Sequence, residues 1–440
     1  MIDELLKKIE DGAAVVGVVG LGYVGLPLVL EFCRKGYRVI GFDIDPLKVG
    51  HLNAGESYIH HIPAGQVAEA AASGKLEATA DLARIGEADA VLICVPTPLG
   101  RHREPDLSYV IGTAESIRPH MRAGQLIVLE STTYPGTTDG EMKTVLDRSG
   151  LVAGESYFLA FSPEREDPGN PKYSLGKIPK VVGGHDPDSL RAAVALYDKI
   201  ATGTVAVSST SAAEAVKLTE NIFRAVNIAL VNELKVIYDK MGVDVWEVIE
   251  AASSKPFGYM PFYPGPGLGG HCIPIDPFYL SWRAREFGSP TRFIELAGEI
   301  NSSMPGYVVG KLIGALNRHG RSLSDAKVLL SGMAYKKDVD DTRESPGLHL
   351  FKMILDGGAQ VDYYDPFVPA IPPTREHPQL AGIRSIEWDP VKLAGYDAIV
   401  IVTDHTEVDY AALVAAAQLV VDCRNATRSV SEGREKIVKA

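Results

Sequence analysis

No two of the four cysteines form a C-x-x-C pair; they stand at positions 33, 94, 272 and 423 of a 440-residue chain. That excludes the usual spacing of a structural zinc site. Four scattered thiols also point to a reducing, cytoplasmic setting rather than a disulfide framework. Long apolar runs are missing, and nothing approaches the roughly 18 residues of a membrane span. The opening "MIDELLKKIEDG" has no apolar centre of the kind a secretory leader needs, and is expected to form a short surface helix ahead of the first strand. Positive charge is in deficit: 44 Lys and Arg against 56 Asp and Glu leave a net charge of −12. Nucleic acid and an anionic membrane surface are therefore poor partners, whereas a small anion needs only a local cationic site. No low-complexity linker interrupts the chain. The composition is ordinary and globular, 46% hydrophobic and 23% charged, and the length suits two or three domains.

Three stretches differ in pattern. Residues 1–205 alternate short apolar, mostly β-branched-rich runs ("AAVVGVVG", "RVIGFDID", "ADAVLICVP", "GQLIVLEST", "YFLAFSPE") with helical segments such as "GLPLVLEFCRKG". Strands buried on both faces of a parallel sheet read this way. Residues 206–305 open with a long helical run, "SSTSAAEAVKLTENIFRAVNIALVNELKVIYDKMG", with Ser and Thr as caps and Gly242 as its stop. Val216, Ile222, Phe223, Val226, Ala229, Leu230 and Leu234 recur at spacings of three and four. A helix of about 30 residues, near 45 Å, suits a spine between domains or a subunit interface. Residues 306–440 return to the first pattern, and "VDYYDPF" and "YDAIVIVT" echo "VIGFDIDP" and "ADAVLICV". The expected fold is α/β: two Rossmann-like, doubly wound domains joined by a helical middle with one long central helix.

"VVGLGYVG" places Gly20, Gly22 and Gly25 in the spacing G-x-G-x-x-G, after a strand and at the start of a helix. In that setting the first glycine makes the turn, the second admits a pyrophosphate and the third lets helix and strand pack closely. Asp43 ends the second strand, where a carboxylate accepts from a ribose 2′-hydroxyl and repels a 2′-phosphate. The expected cofactor is NAD rather than NADP. Asp45 is the rival for the ribose, and the strand-end position favours Asp43. The C-terminal segment lacks the fingerprint; its first strand runs into "GMAYKKDVDDTRES", whose Lys336, Lys337 and Arg343 offer a diphosphate site.

Candidate chemistry lies in three places. "GPGLGGHCIPIDP" puts Cys272 on a loop that no helix or central strand tolerates, so the thiol can approach a substrate carbon, with His271 beside it to tune or fix it. Lys217 and Asn221 are four apart on the long helix and share a face. Glu164 of "FSPERE" and Thr132 of "ESTTYPGTT" stand at strand ends, where a carboxylate can polarise a water. Cys33, Cys94 and Cys423 are expected to be buried and inert. His60 and His61 would point apart in a strand and make a poor metal pair, so no metal is expected.

Taken in order, "GLGYVGLP", "FSPERE", "EAVKLTEN", "GPGLGGHCIPIDP" and "GMAYKKDVDDTRES" resemble the nucleotide-diphosphate-sugar 6-dehydrogenases over nearly the whole chain. The resemblance implies a two-step, NAD-dependent oxidation of a primary alcohol to a carboxylate. It implies Cys272 as nucleophile, and Lys217, Asn221 and Asp276 for protons and the oxyanion. Glu164 and Thr132 would serve the hydrolytic water, and Tyr23, Val24, Lys48, Thr97, Thr132 and Arg343 the cofactor. Glu164, Lys217, Asn221, Tyr263, Gly269 and Lys336 would contact the substrate. It further implies residues 1–205 as the NAD domain, 206–305 as the dimerising middle and 306–440 as the UDP-sugar domain. Ile275 stands where enzymes specific for UDP-glucose commonly carry lysine. The likeness is strongest to the branch that oxidises UDP-N-acetylglucosamine, with UDP-glucose and UDP-N-acetylmannosamine as alternatives. The implied setting is surface polysaccharide synthesis.

Overall fold

In the computed structural model, which describes residues 1–59, 62–100, 103–165, 175–270 and 272–440, the β-branched runs of the N-terminal half build one eight-stranded sheet. Its strands are β1 (Val15–Val19), β2 (Arg38–Phe42), β3 (Leu76–Thr79), β4 (Ala90–Ile93), β5 (Leu126–Leu129), β6 (Phe158–Phe161), β7 (Lys180–Gly184) and β8 (Thr204–Val207), in the order β3-β2-β1-β4-β5-β6-β7-β8. The first six have the doubly wound dinucleotide-binding order, with the switch point between β1 and β4. Every residue of β4, β5 and β6 is buried, as their unbroken apolar runs predict. One face packs on Leu26, Val29 and Phe32 of the helix Gly25–Arg34, the other on Ile85, Val110 and Ile117. The last two strands depart from the pattern: β7 pairs antiparallel with β6, and β8 follows β7 in parallel.

The chain falls into two compact units, Met1–Glu220 with Phe278–Pro290, and Asn221–Pro277 with Thr291–Ala440. The second holds a parallel five-stranded sheet of β9 (Lys327–Ser331), β10 (Gln360–Tyr364), β11 (Ala398–Ile401), β12 (Val420–Asp422) and β13 (Ile437–Lys439), in the order β10-β9-β11-β12-β13. This is the other common doubly wound order. The echo between the two sheets is structural. Asp43, after β2, accepts the Leu21 amide at 2.9 Å; Asp365, after β10, accepts the Met333 and Ala334 amides at 2.6 and 2.9 Å. Asp365 is further occupied by His405, whose Nε2 lies 3.0 Å away in a fully buried contact. No helix among the described residues is long and apolar enough to cross a membrane.

The central helical run is one helix, Thr210–Met241, of 32 residues. Ser209 caps it, accepting the Ala212 amide at 3.1 Å, and Gly242 ends it at φ +73°. Its apolar spacing does not mark the buried face. Phe223 and Leu230 are 48% and 50% exposed, and Ile237 continues the stripe seven residues on. The buried positions include Glu214, Lys217, Asn221, Asn232 and Lys235. Periodicity finds an apolar face; it does not say whether the chain's own core or something else covers it.

Candidate active site

The three glycines of the nucleotide loop have three distinct geometric reasons. Gly20 has φ +93°, and a Cβ there would sit 2.6 Å from the Cys94 carbonyl oxygen. A Cβ on Gly25 would lie 1.9 Å from the Gly20 oxygen, which fixes how closely helix and strand approach. Gly22 has nothing within 4 Å of its would-be Cβ, so it faces the open space a pyrophosphate needs. Val24 takes the N-cap position of the Gly25–Arg34 helix with no side-chain cap, next to half-buried Tyr23. Asp43 accepts from the amides of Leu21 and Asp45 and from the Lys48 ammonium at 2.9, 3.0 and 3.2 Å. Asp45 is committed elsewhere: it caps the helix Pro46–Asn53 by accepting the Leu47 amide at 2.9 Å. Asp43 stands at the strand end beside the glycine turn, where it holds the Leu21 amide, and the loop fits NAD. Thr97 is buried, and its carbonyl accepts the Tyr279 hydroxyl at 2.5 Å.

At the carboxyl edge of the same sheet, Glu164 follows β6. Its backbone carbonyl accepts the Lys217 ammonium at 2.6 Å, and one carboxylate oxygen accepts the Arg165 amide at 2.6 Å. Its other oxygen lies 3.3 Å from Lys180 Nζ. Lys180 is 2.6 Å from the fully buried carboxylate of Glu130, whose second oxygen accepts the Tyr197 hydroxyl. Burial works against the Lys180 ammonium, but Glu130 and then Glu164 outweigh it and hold its pKa above the ordinary lysine value. Thr132 is half-buried just after β5. The loop that follows it is tied to the long helix by Glu214, which accepts the Gly136 amide at 2.6 Å, the Thr138 amide at 2.9 Å and the Thr138 hydroxyl at 2.7 Å. Burial pushes the Glu214 carboxyl up to about 7 despite these donors.

In the second unit the cysteine loop is anchored along its length. Asn232 Oδ1 accepts the Gly265 amide at 3.0 Å, and Asn232 donates to Asn301 at 2.9 Å. The Gly270 amide donates to the Arg343 carbonyl at 3.0 Å. The Cys272 carbonyl accepts the Asp276 amide at 2.8 Å, and Asn221 Nδ2 donates to Asp276 Oδ2 at 2.5 Å. Arg224 donates in turn to the Asn221 oxygen. Asp276 and Asn221 are buried and Cys272 is half-buried. The other thiols are held neutral: burial pushes Cys33 up to about 12 and raises Cys94 and Cys423 as well.

The sequence-predicted residues thus fall into two sets. Lys217 meets Glu164 in the first unit, and Asn221 meets Asp276 beside Cys272 in the second. Lys217 and Asn221 lie on a buried helix face, not a solvated one. Gly269 has a packing reason for being glycine, since a Cβ there would lie 2.7 Å from Tyr335 Cβ and 2.9 Å from Pro346 Cδ. Tyr263 stacks on Trp246 with centroids 5.7 Å apart. Arg343 binds Asp341, with Nη2 2.6 Å from Oδ2, and Lys336 is half-buried. His60, His61 and His271 lie outside the described residues. Sequence reading missed Lys180, Glu130, Tyr197, Glu214, Asn232 and Asn301. Some signals were present: a carboxylate closing the apolar run "LIVLE", a lysine opening "KVVGG", and Asn232 eleven residues, about three turns, after Asn221.

A dinucleotide loop, a carboxylate at the end of the next strand and a thiol loop packed against a second doubly wound domain define an NAD-dependent dehydrogenase of nucleotide sugars. The chain belongs to the UDP-glucose/GDP-mannose dehydrogenase family: the family's NAD binding domain matches residues 14–201, its central domain 211–303 and its UDP binding domain 329–429. It is 36% identical over 394 residues to a UDP-N-acetyl-D-glucosamine 6-dehydrogenase of Pseudomonas aeruginosa, covering 89% of this chain and 90% of that one. It is also 36% identical over 394 residues to a UDP-N-acetyl-D-mannosamine dehydrogenase of Pyrococcus horikoshii, with the same coverage. The solved structure of a UDP-D-ManNAc dehydrogenase from Pyrococcus horikoshii superposes with a TM-score of 0.86 at 33% identity, over 97% of this chain and 98% of that one.

Proposed function

We propose that the chain oxidises the 6-hydroxyl of UDP-N-acetyl-D-glucosamine to the carboxylate, consuming two NAD and one water. The observation that carries the chemistry is the anchored loop, with half-buried Cys272 next to the Asn221–Asp276 pair. NAD, when bound, supplies the hydride acceptor for each oxidation. Lys217, Asn221 and Asp276 take up the hydroxyl proton and stabilise the charge that develops on oxygen. Cys272 adds to the aldehyde carbon, so the intermediate stays attached as a thiohemiacetal and is oxidised again to a thioester. Glu164, assisted by Thr132, removes a proton from the water that attacks the thioester carbonyl. The C–S bond breaks and Cys272 leaves as a thiolate. Residues 1–205 carry NAD and the base for the hydrolytic water, 306–440 the UDP-sugar through Lys336, and 206–305 the nucleophile and self-association. The exposed stripe of Phe223, Leu230 and Ile237 supports a homodimer through the long helix.

The choice of sugar rests on Ile275, apolar and 7% exposed where glucose-specific members tend to carry lysine. Relatives named for the N-acetylglucosamine and N-acetylmannosamine substrates match equally well, which keeps the manno epimer as a second reading. The deciding experiment measures kcat/KM and NADH per sugar for UDP-glucose, UDP-galactose and the N-acetylated gluco, galacto and manno forms. The gluco acetamido form should be preferred over UDP-glucose by at least about tenfold, the effect of one unpaired buried hydrogen bond. Equal use of UDP-glucose defeats the branch assignment and leaves the chemistry standing.

A further inference from the structure

One ionisable side chain, Lys180, meets Glu164 from the interior of the first unit, and two more, Glu130 and Tyr197, stand behind it. Lys180 opens β7, Glu130 follows β5, and Tyr197 ends the helix Pro187–Tyr197. Because β7 runs antiparallel to β6, its first residue lies at the end of the sheet where β6 finishes. The Lys180 ammonium has three acceptors for its three protons: Glu130 Oε2 at 2.6 Å, Glu164 Oε2 at 3.3 Å and the Pro163 carbonyl at 3.4 Å. The side chains of Lys180, Glu130 and Glu164 are 3%, 0% and 12% exposed. The ammonium also sits 5.0 Å from the Tyr197 ring centroid. A buried ion pair is a weak stabiliser, often no better than an apolar pair of the same volume. Stability alone therefore gives no reason for this charge at the edge of the sheet.

We propose that Lys180, itself held by Glu130 and Tyr197, is the positioning residue for Glu164, fixing the carboxylate's orientation and keeping it anionic for thioester hydrolysis. This rests on the reading of Glu164 as the base of that step. In the step, water oxygen bonds to the thioester carbon, its proton goes to Glu164, and the C–S electron pair leaves on Cys272 sulfur. A carboxylate that is protonated or turned away cannot accept that proton. Lys180 prevents both by offering a fixed cation to Oε2, while the Arg165 amide holds Oε1. Other charged and titratable groups among the described residues also lie near Glu164. The Lys217 ammonium lies on its carbonyl, the Arg165 guanidinium is turned to Glu220, and Cys94 is held neutral by burial.

The test uses the full chain with excess enzyme, NAD and a UDP-sugar that it turns over. It follows the NADH burst, the Cys272-bound acyl group by mass spectrometry and the free acid. Lys180→Met should slow release of the acid by about 10²-fold, the typical contribution of a general base. The acyl-enzyme should accumulate, and the burst should slow far less. The acid limb of the hydrolysis rate should move to higher pH, and Lys180→Arg should restore much of both. Lys180→Met leaves Glu130 buried without its cation, so Lys180→Met/Glu130→Gln, which restores the net charge of the wild-type cluster, is measured beside it and should show the same stall. If Glu164→Gln hydrolyses at the wild-type rate, the reading of Glu164 as base fails. If Glu164→Gln stalls while the Lys180 variants release acid at the wild-type rate with an unmoved acid limb, the positioning role is overturned and the base stands.

Discussion

Replacing Asp43 with alanine is expected to move the enzyme from NAD towards NADP, and Lys48 sets how far. The carboxylate holds two fixed amides, of Leu21 and Asp45, and one mobile cation, the Lys48 ammonium, on a side chain 35% exposed. A ribose hydroxyl donating to it adds one hydrogen bond to a charged group, about 1.5–3 kcal/mol. Its loss lowers kcat/KM for NAD by roughly 10- to 100-fold. For NADP the changes have the opposite sign. Repulsion between the carboxylate and a 2′-phosphate about 4 Å away disappears, worth about 1–4 kcal/mol between aqueous and protein-surface screening. Lys48, released from Asp43, can pair with the phosphate for a further ~1 kcal/mol, the upper end for so exposed a group. Disorder of the Leu21 turn affects both coenzymes alike and cancels in their ratio. From the low ends of the first two contributions alone, about 2.5 kcal/mol together, the NAD:NADP preference moves by roughly 70-fold. The assay is kcat/KM for both coenzymes in Asp43→Ala, Lys48→Met and the double variant. The double variant should keep the loss on NAD and give up part of the gain on NADP. An unchanged ratio in Asp43→Ala would mean that another residue reads the ribose, and an equal NADP gain with or without Lys48 would remove the lysine from the account.

Cys272→Ser should complete the first oxidation and stall, because serine is a weaker nucleophile and a poorer leaving group; acid formed at the wild-type rate would refute the nucleophile assignment. Asn232→Leu should unpair the Gly265 amide and Asn301, costing about 1–3 kcal/mol for each unpaired group, and let the start of the cysteine loop drift. NADH per sugar should then fall from two towards one as aldehyde becomes trappable, and an unchanged stoichiometry refutes the anchor. Glu214, raised from 4.5 to about 7 by burial, binds more proton in the folded than in the unfolded chain between those values. Its contribution is therefore most favourable below pH 4.5 and declines by about 3 kcal/mol as pH rises to about 7. Urea midpoints of the wild type should fall relative to Glu214→Gln across that window, and a relative rise contradicts the sign.

What the sequence determined by itself is local and periodic. Unbroken apolar runs announced β4, β5 and β6, because a strand covered on both faces must be apolar throughout. The spacing of Gly20, Gly22 and Gly25 announced the nucleotide turn, because only a residue without a Cβ fits 1.9 Å from a carbonyl oxygen or at φ +93°. The density of glycine and proline around Cys272 announced a loop. The tertiary structure decided the non-local pairings. The strand-end position favours Asp43 over Asp45 already in sequence; what each carboxylate holds, Asp43 the Leu21 amide and Asp45 the cap on Leu47, only the fold shows. The long helix reads as amphipathic, yet its buried face carries Glu214, Lys217, Asn221 and Asn232 while Phe223 and Leu230 stay exposed. "KVVGG" reads as a strand of either direction, and only its reversal against β6 brings Lys180 to Glu130 and Glu164. The physical reason is common to all three. Side-chain period encodes conformation and the existence of an apolar face, but strand direction and the partner of a buried polar group are set by contacts between residues far apart in the chain, which no window of sequence contains.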